Sequence, residues 1–241
     1  MLPIPRGREN QTANNLCSTH TEDYNWARRG AVAAKSRKPG SRERQRCELI
    51  AIGASAGGLP ALIQVIGDID PDFPPILIVQ HLDPRHKSQM AGLLTRKTRK
   101  SVKEAEDGEP LVDGTVYIGP PNEHLLVSKG KIQLAHSRLV RFSRPSIDVM
   151  FASIAALYGE RTIGVILSGS NRDGADGIAA VKRAGGITIA QDPATAEFRV
   201  MPQSAIDTGC VDLVVQLDRM GTTLSELIGR GTVKKWQRKS H

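Results

Sequence analysis

Between the apolar run Leu49-Ile50-Ala51-Ile52 and a helical pattern opening at Leu59-Pro60-Ala61-Leu62 stands Gly53-Ala54-Ser55-Ala56-Gly57-Gly58. A buried strand that turns at once into a helix is the repeating unit of an α/β sheet. The tight turn pushes the serine side chain out of the fold, and small neighbours let other backbone come close. Unpaired N–H groups in the first turn of the following helix point at whatever lies above, which suits a developing oxyanion. These features together describe an activated hydroxyl acting on acyl compounds. The pentapeptide G-x-S-x-G is a weak signal taken alone, because glycine-rich turns also hold phosphates. Its spacing nevertheless matches neither G-x-G-x-x-G nor G-x-x-x-x-G-K-[ST].

The rest of the chain repeats the strand-then-helix alternation. Strands are expected at Leu49–Ile52, Pro75–Gln80, Thr162–Leu167, Gly186–Ala190 and Val211–Val215. Helices are expected at Leu59–Ile66, Ser88–Arg99, Ser146–Leu157 (with Ser146 as N-cap) and Asp176–Ala184. Between the second and third helices, Gly114–Gly119, Leu125–Val127 and Ile132–Leu134 read as a hairpin-like region. Continuous β-branched runs alternating with amphipathic helices indicate an α/β fold: a doubly wound, mostly parallel sheet with helices on both faces.

Charge divides the chain differently. The formal net charge of +8 is carried by the ends, through residues such as Arg28, Arg29, Arg37, Lys38, Lys234 and Lys235, and the body between them is close to neutral. Residues 1–46 are expected to form a disordered basic segment, 47–229 a catalytic domain and 230–241 a basic tail. No apolar run approaches the ~20 residues of a membrane span, and no apolar h-region follows the N-terminus. The three cysteines lack metal-ligand spacing. The cytoplasm is the expected compartment, with no membrane insertion and no nucleic-acid partner expected.

Functional groups of open α/β sheets gather beyond the carboxyl ends of the strands. Ser55 lies at one such end, His81 at a second and Asp173 at a third. An imidazole can take the serine proton and return one to the leaving group, while a carboxylate fixes the ring's tautomer. His86 and His124 compete with His81, and Asp107, Asp148 and Asp176 compete with Asp173. Asp176 has the position of a helix cap, and Asp148 sits in a first helical turn where a carboxylate suits the dipole. Arg85, Arg144 and Arg172 are candidates to border the cleft. Two other readings remain open at this level: a general carboxylesterase or amidase acting on small esters, and a non-catalytic phosphate-binding module.

Six segments in order carry a resemblance: Ile52–Gly58, Val79–Leu82, Gly119–Leu125, Arg144–Asp148, Ser168–Gly177 and Val200–Ile206. Together they resemble the catalytic domain of the chemotaxis receptor protein-glutamate methylesterases (CheB type), over about Leu49 to Ile228. The resemblance implies a doubly wound parallel fold and a Ser-His-Asp triad falling on Ser55, His81 and Asp173. It implies hydrolysis of glutamyl methyl esters on the signalling helices of methyl-accepting chemotaxis receptors, releasing methanol, with glutamine deamidation in some members and no cofactor or metal. Oxyanion donors are then expected in the backbone N–H groups of Ala56 and Ser170. Two departures stand out. The residues ahead of the domain are too few for the family's usual receiver domain, so a stand-alone catalytic domain is expected. The family's Gly-Met-Gly-x-Asp-Gly loop reads Gly169-Ser-Asn-Arg-Asp-Gly174 here, placing Asn171 where glycine is usual; asparagine tolerates the left-handed region better than most residues.

Overall fold

The computed structural model describes residues 46–81 and 88–230. The expectations for the basic ends, and for Arg85 and His86, fall outside the described residues. Seven strands form one parallel sheet: β1 (Leu49–Ala54), β2 (Ile76–Gln80), β3 (Ser101–Glu104), β4 (Thr115–Ile118), β7 (Thr162–Ile166), β8 (Ile187–Gln191) and β9 (Leu213–Val215). Their spatial order is β3-β4-β2-β1-β7-β8-β9, and every pairing within the sheet is parallel. The remaining two strands, β5 (His124–Ser128) and β6 (Lys131–Ala135), form a separate antiparallel hairpin. The chain winds outward from β1 to β2, then crosses to β7 on the other side. This puts the topological switch point between β1 and β7.

Helices cover both faces because alternate residues of each central strand point to opposite sides. Ile50 and Ile52 face α1 (Gly58–Asp68), α2 (Met90–Thr98) and α6 (Leu217–Arg230), through Leu62, Val65, Leu94, Met220 and Leu224. Leu49 and Ala51 face α3 (Ile147–Tyr158), α4 (Ala175–Arg183), α5 (Val200–Ile206) and the β5–β6 hairpin, through Phe151, Ile154, Ile178, Val181 and Met201. Every residue of β1, β2, β7 and β8 is buried, which accounts for their predominantly apolar sequences.

The fold class agrees with the expectation, and one local reading is corrected. Thr115–Ile118 belongs to no hairpin; it is an interior strand of the main sheet, parallel to both β2 and β3. The alternation of Thr115-Val-Tyr-Ile looks alike in either setting, and only its partners decide. Three elements were not anticipated: β3, a half-buried edge strand carrying Lys103 and Glu104; the seven-residue α5, with Pro202 in its first turn; and α6. The last was legible, since Leu217, Met220, Leu224 and Leu227 recur at helical spacing.

Candidate active site

The turn after β1 is held by its own backbone. Ser55 donates its N–H to the Ser168 carbonyl across the switch point (2.9 Å), and its carbonyl accepts from Gly58 N–H (2.9 Å). Gly57 closes the turn at φ 67, a conformation that costs glycine little. The Ser168 hydroxyl donates to the Ala56 carbonyl (2.8 Å) and accepts from Phe198 N–H (2.9 Å). The serine loop, the end of β7 and the strap before α5 are thereby tied together.

His81 follows β2, and its N–H donates to the Ala54 carbonyl at 3.1 Å. Its Nδ1 lies 3.2 Å from Ser55 Oγ, and its Nε2 lies 2.8 Å from Asp173 Oδ2. A carboxylate only accepts, so Nε2 carries the proton and Nδ1 of the neutral ring offers its lone pair to the serine hydroxyl. The imidazole is 15% exposed and the Asp173 side chain fully buried. The three residues expected from sequence therefore meet, two of them flanking the switch point and the third on the neighbouring strand. Such an arrangement can move a proton from Ser55 to His81 while Asp173 holds the ring.

Asp173 also caps a helix other than its own. Its Oδ1 accepts from Ser146 Oγ (2.9 Å) and Asp148 N–H (3.1 Å), and its Oδ2 from Ile147 N–H (2.7 Å), all at the start of α3. Asp148 returns the arrangement: from the first turn of α3 its Oδ1 accepts from Gly174 N–H (2.9 Å) and Gly177 N–H (2.7 Å) at the start of α4. Two buried carboxylates thus each sit on the other helix's positive end. Burial, followed by the charge of Asp173, pushes the Asp148 carboxyl up. Burial pushes Asp173 up as well, yet the hydrogen bond from His81, its charge and the α3 N–H groups outweigh that and leave Asp173 lowered overall. The negative charge therefore settles on Asp173, beside the imidazole.

The rival residues have other duties. His124 is buried, accepts from Ser146 N–H at Nδ1 (3.1 Å) and donates Nε2–H to the Arg138 carbonyl (2.9 Å). Its burial lowers its pKa and keeps it neutral. Asp107 accepts from Leu134 N–H beside the hairpin. Asp176 pairs with Arg141, whose Nε also donates to Asp148 (3.1 Å). Arg144 is committed to Asn122 Oδ1 and the Ser137 carbonyl, whereas Arg172 is exposed beside Asp173. Among the described residues, no acceptor takes the backbone N–H of Ala56 or of Ser170. No group of three or more His, Cys, Asp or Glu residues among the described residues is arranged to hold a metal ion.

Sequence reasoning missed two participants. Gln80 ends the apolar strand β2, and its Nε2 donates to both the Ser55 carbonyl (2.7 Å) and the His81 carbonyl (3.0 Å). One amide thus sets the spacing between serine and histidine. A polar side chain closing an otherwise apolar strand was its signal. Asn171 was noticed for its backbone, but its φ is not positive and its side chain is what matters. Its Oδ1 accepts from Asp173 N–H (3.1 Å), which turns Nδ2 toward His81 Nδ1 (3.2 Å). Ser55 and Asn171 therefore compete for a single lone pair.

A family model described as CheB methylesterase matches residues 50–224. The chain belongs to that family. A putative protein-glutamate methylesterase/protein-glutamine glutaminase of Leptospira interrogans (serovar copenhageni) is 42% identical over 175 residues, covering 72% of this chain and 91% of the relative. Protein-glutamate methylesterase/protein-glutamine glutaminase 2 of Anaeromyxobacter dehalogenans is 42% identical over 183 residues, covering 76% of this chain but 54% of the longer relative. The crystal structure of the Thermotoga maritima CheB methylesterase catalytic domain superposes with a TM-score of 0.71 at 36% identity, covering 75% of this chain and 98% of that one. The methylesterase assignment made from the six segments agrees with all three. In this CheB-type domain no described helix is long and apolar enough to cross a membrane.

Proposed function

We propose that this domain is a cytoplasmic protein-glutamate methylesterase in which Ser55 is the nucleophile, His81 the general base and Asp173 the group that orients it. The reading is carried by the hydrogen-bonded line from Ser55 Oγ through His81 to buried Asp173. His81 Nδ1 takes the hydroxyl proton as Ser55 Oγ attacks the γ-carbonyl of a methyl-esterified glutamate. The oxyanion that forms is received by the backbone N–H groups of Ala56 and Ser170, each such donor contributing about 2.7–4 kcal/mol. Protonated His81 delivers its proton to the departing methoxide, which leaves as methanol. Water, deprotonated by the same Nδ1, then releases the glutamate and regenerates Ser55. A glutamine side chain follows the same steps with ammonia leaving, in keeping with the glutaminase names of the relatives.

The substrate in this reading is a signalling helix of a methyl-accepting chemotaxis receptor. The test is labelling by a serine-directed phosphonate together with methanol release from a methylated receptor fragment. Label mapped to Ser55 and lost in His81→Ala is the expected result. Wild-type methanol release by Ser55→Ala would overturn the assignment.

A further inference from the structure

Val140 and Ser143 exchange both backbone hydrogen bonds, Ser143 N–H to the Val140 carbonyl at 2.8 Å and Val140 N–H to the Ser143 carbonyl at 3.2 Å. The two residues between them, Arg141 and Phe142, have φ of 48 and 62. A two-residue turn with both φ positive ordinarily selects Asn-Gly or Asp-Gly, and a bulky side chain there is an outlier that calls for an explanation. Arg141 has one within the chain, since its guanidinium rests on Asp148 and Asp176 and anchors the turn to the starts of α3 and α4. Phe142 has none among the described residues, for it is 98% exposed. An aromatic residue held at an unfavourable φ and packed on no described residue stabilises neither the turn nor the described core.

Its position gives it a use. The N-termini of α3 and α4 lie at the carboxyl edge of the sheet, and Ser146, four residues beyond Phe142, bonds directly to Asp173. The Phe142 turn therefore stands on the same rim as the catalytic serine. Across that rim the strap carrying Phe198 is tied to the Ser55 loop through Ser168, and Phe198 and Val200 are exposed there as well. Arg172, next to Asp173, and Arg199, on the strap, are exposed and without an ion pair to any described residue; Glu197, near Gly57, is exposed as well.

We propose that the Arg141-Phe142 turn is a docking post for the protein substrate, Phe142 covering an apolar residue beside the esterified glutamate of an acidic helix. The proposal rests on the methylesterase reading and adds to it the surface that recognises the protein. Aromatic residues, phenylalanine included, are enriched at protein interfaces, and Arg141's two carboxylates remove the ordering cost that a loose loop would incur on binding. Arg172 and Arg199 complement the carboxylates of such a helix.

The experiment compares kcat/KM for a methyl-esterified receptor helical fragment with that for a soluble small ester, in the wild type, Phe142→Gly and Phe142→Trp. For Phe142→Gly the ratio of the two efficiencies is expected to fall about tenfold through KM for the protein substrate, with Tm equal or higher because glycine relieves the positive φ. Phe142→Trp is expected to restore the ratio. In a Ser55→Ala background, fragment binding followed by fluorescence anisotropy is expected to weaken by the same factor in Phe142→Gly. A ratio within twofold of wild type overturns the docking proposal alone. A wild type that cleaves the small ester but never the receptor ester overturns the substrate reading and the docking proposal together.

Discussion

Asp173→Ala separates two roles that one carboxylate combines. The side chain orients His81 through a 2.8 Å hydrogen bond and receives Ile147 N–H, Asp148 N–H and Ser146 Oγ at the start of α3. Removing the acid of a Ser-His-Asp site lowers turnover by a factor of about 10⁴, which is about 5 kcal/mol at 1.36 kcal/mol per tenfold. The structural loss is separate. Ser146 can turn its hydroxyl elsewhere, but two buried N–H groups lose their acceptor at about 1–3 kcal/mol each. Water entering the vacated space recovers part of that, so about 2–4 kcal/mol of stability should disappear. Ser55→Ala is the control, because in the proposed mechanism it stops the chemistry without touching the α3 cap. The assay pairs methanol release with urea unfolding of both variants. Asp173→Ala should be inactive and destabilised, and Ser55→Ala inactive with its urea midpoint unchanged. Equal midpoints for the two variants would show that the α3 cap does not depend on Asp173, and turnover reduced less than a hundredfold would remove Asp173 from the mechanism.

Three further outcomes follow from the same geometry. Asp148 has a folded-state pKa raised above its unfolded value, so the folded protein holds that proton longer and stability falls as pH rises from about 4 toward 7; urea midpoints in Asp148→Asn should lose this slope, at most about 1.4 kcal/mol per pH unit. Gly58→Ala places a Cβ 2.2 Å from Gln80 Oε1 and 2.8 Å from the Ala54 Cβ; it should cost about 1–3 kcal/mol in thermal unfolding and lower kcat by displacing the amide that spaces Ser55 from His81. Asn171→Gly removes the competitor for His81 Nδ1, worth about 0.5–1.5 kcal/mol as a neutral hydrogen bond, so phosphonate inactivation should accelerate severalfold; slower inactivation would mean that Asn171 supports the serine instead of competing with it.

What could be read in advance was whatever the chain states locally. Continuous apolar strands reveal themselves because both their faces are buried, and the serine turn reveals itself because a strand-to-helix corner admits few residue types. Ser55, His81 and Asp173 were legible because parallel topology gathers the carboxyl ends of strands on one rim, so position after a strand already implied convergence. Asp148 was legible only as a favourable first-turn charge. That it crosses to cap α4 while Asp173 caps α3 depends on the two helix starts lying side by side, which no local pattern encodes. The same holds for Gln80, whose value lies in reaching two carbonyls of different strands' loops, and for Thr115–Ile118, whose partners decide whether it is hairpin or sheet interior. Amino-acid order determined most of the strands and helices and which polar groups follow the strands. Packing alone decided which nitrogen of His81 faces the serine, which carboxylate keeps its charge, and that Phe142 stands exposed among the described residues, because those outcomes depend on distances between residues far apart in the chain.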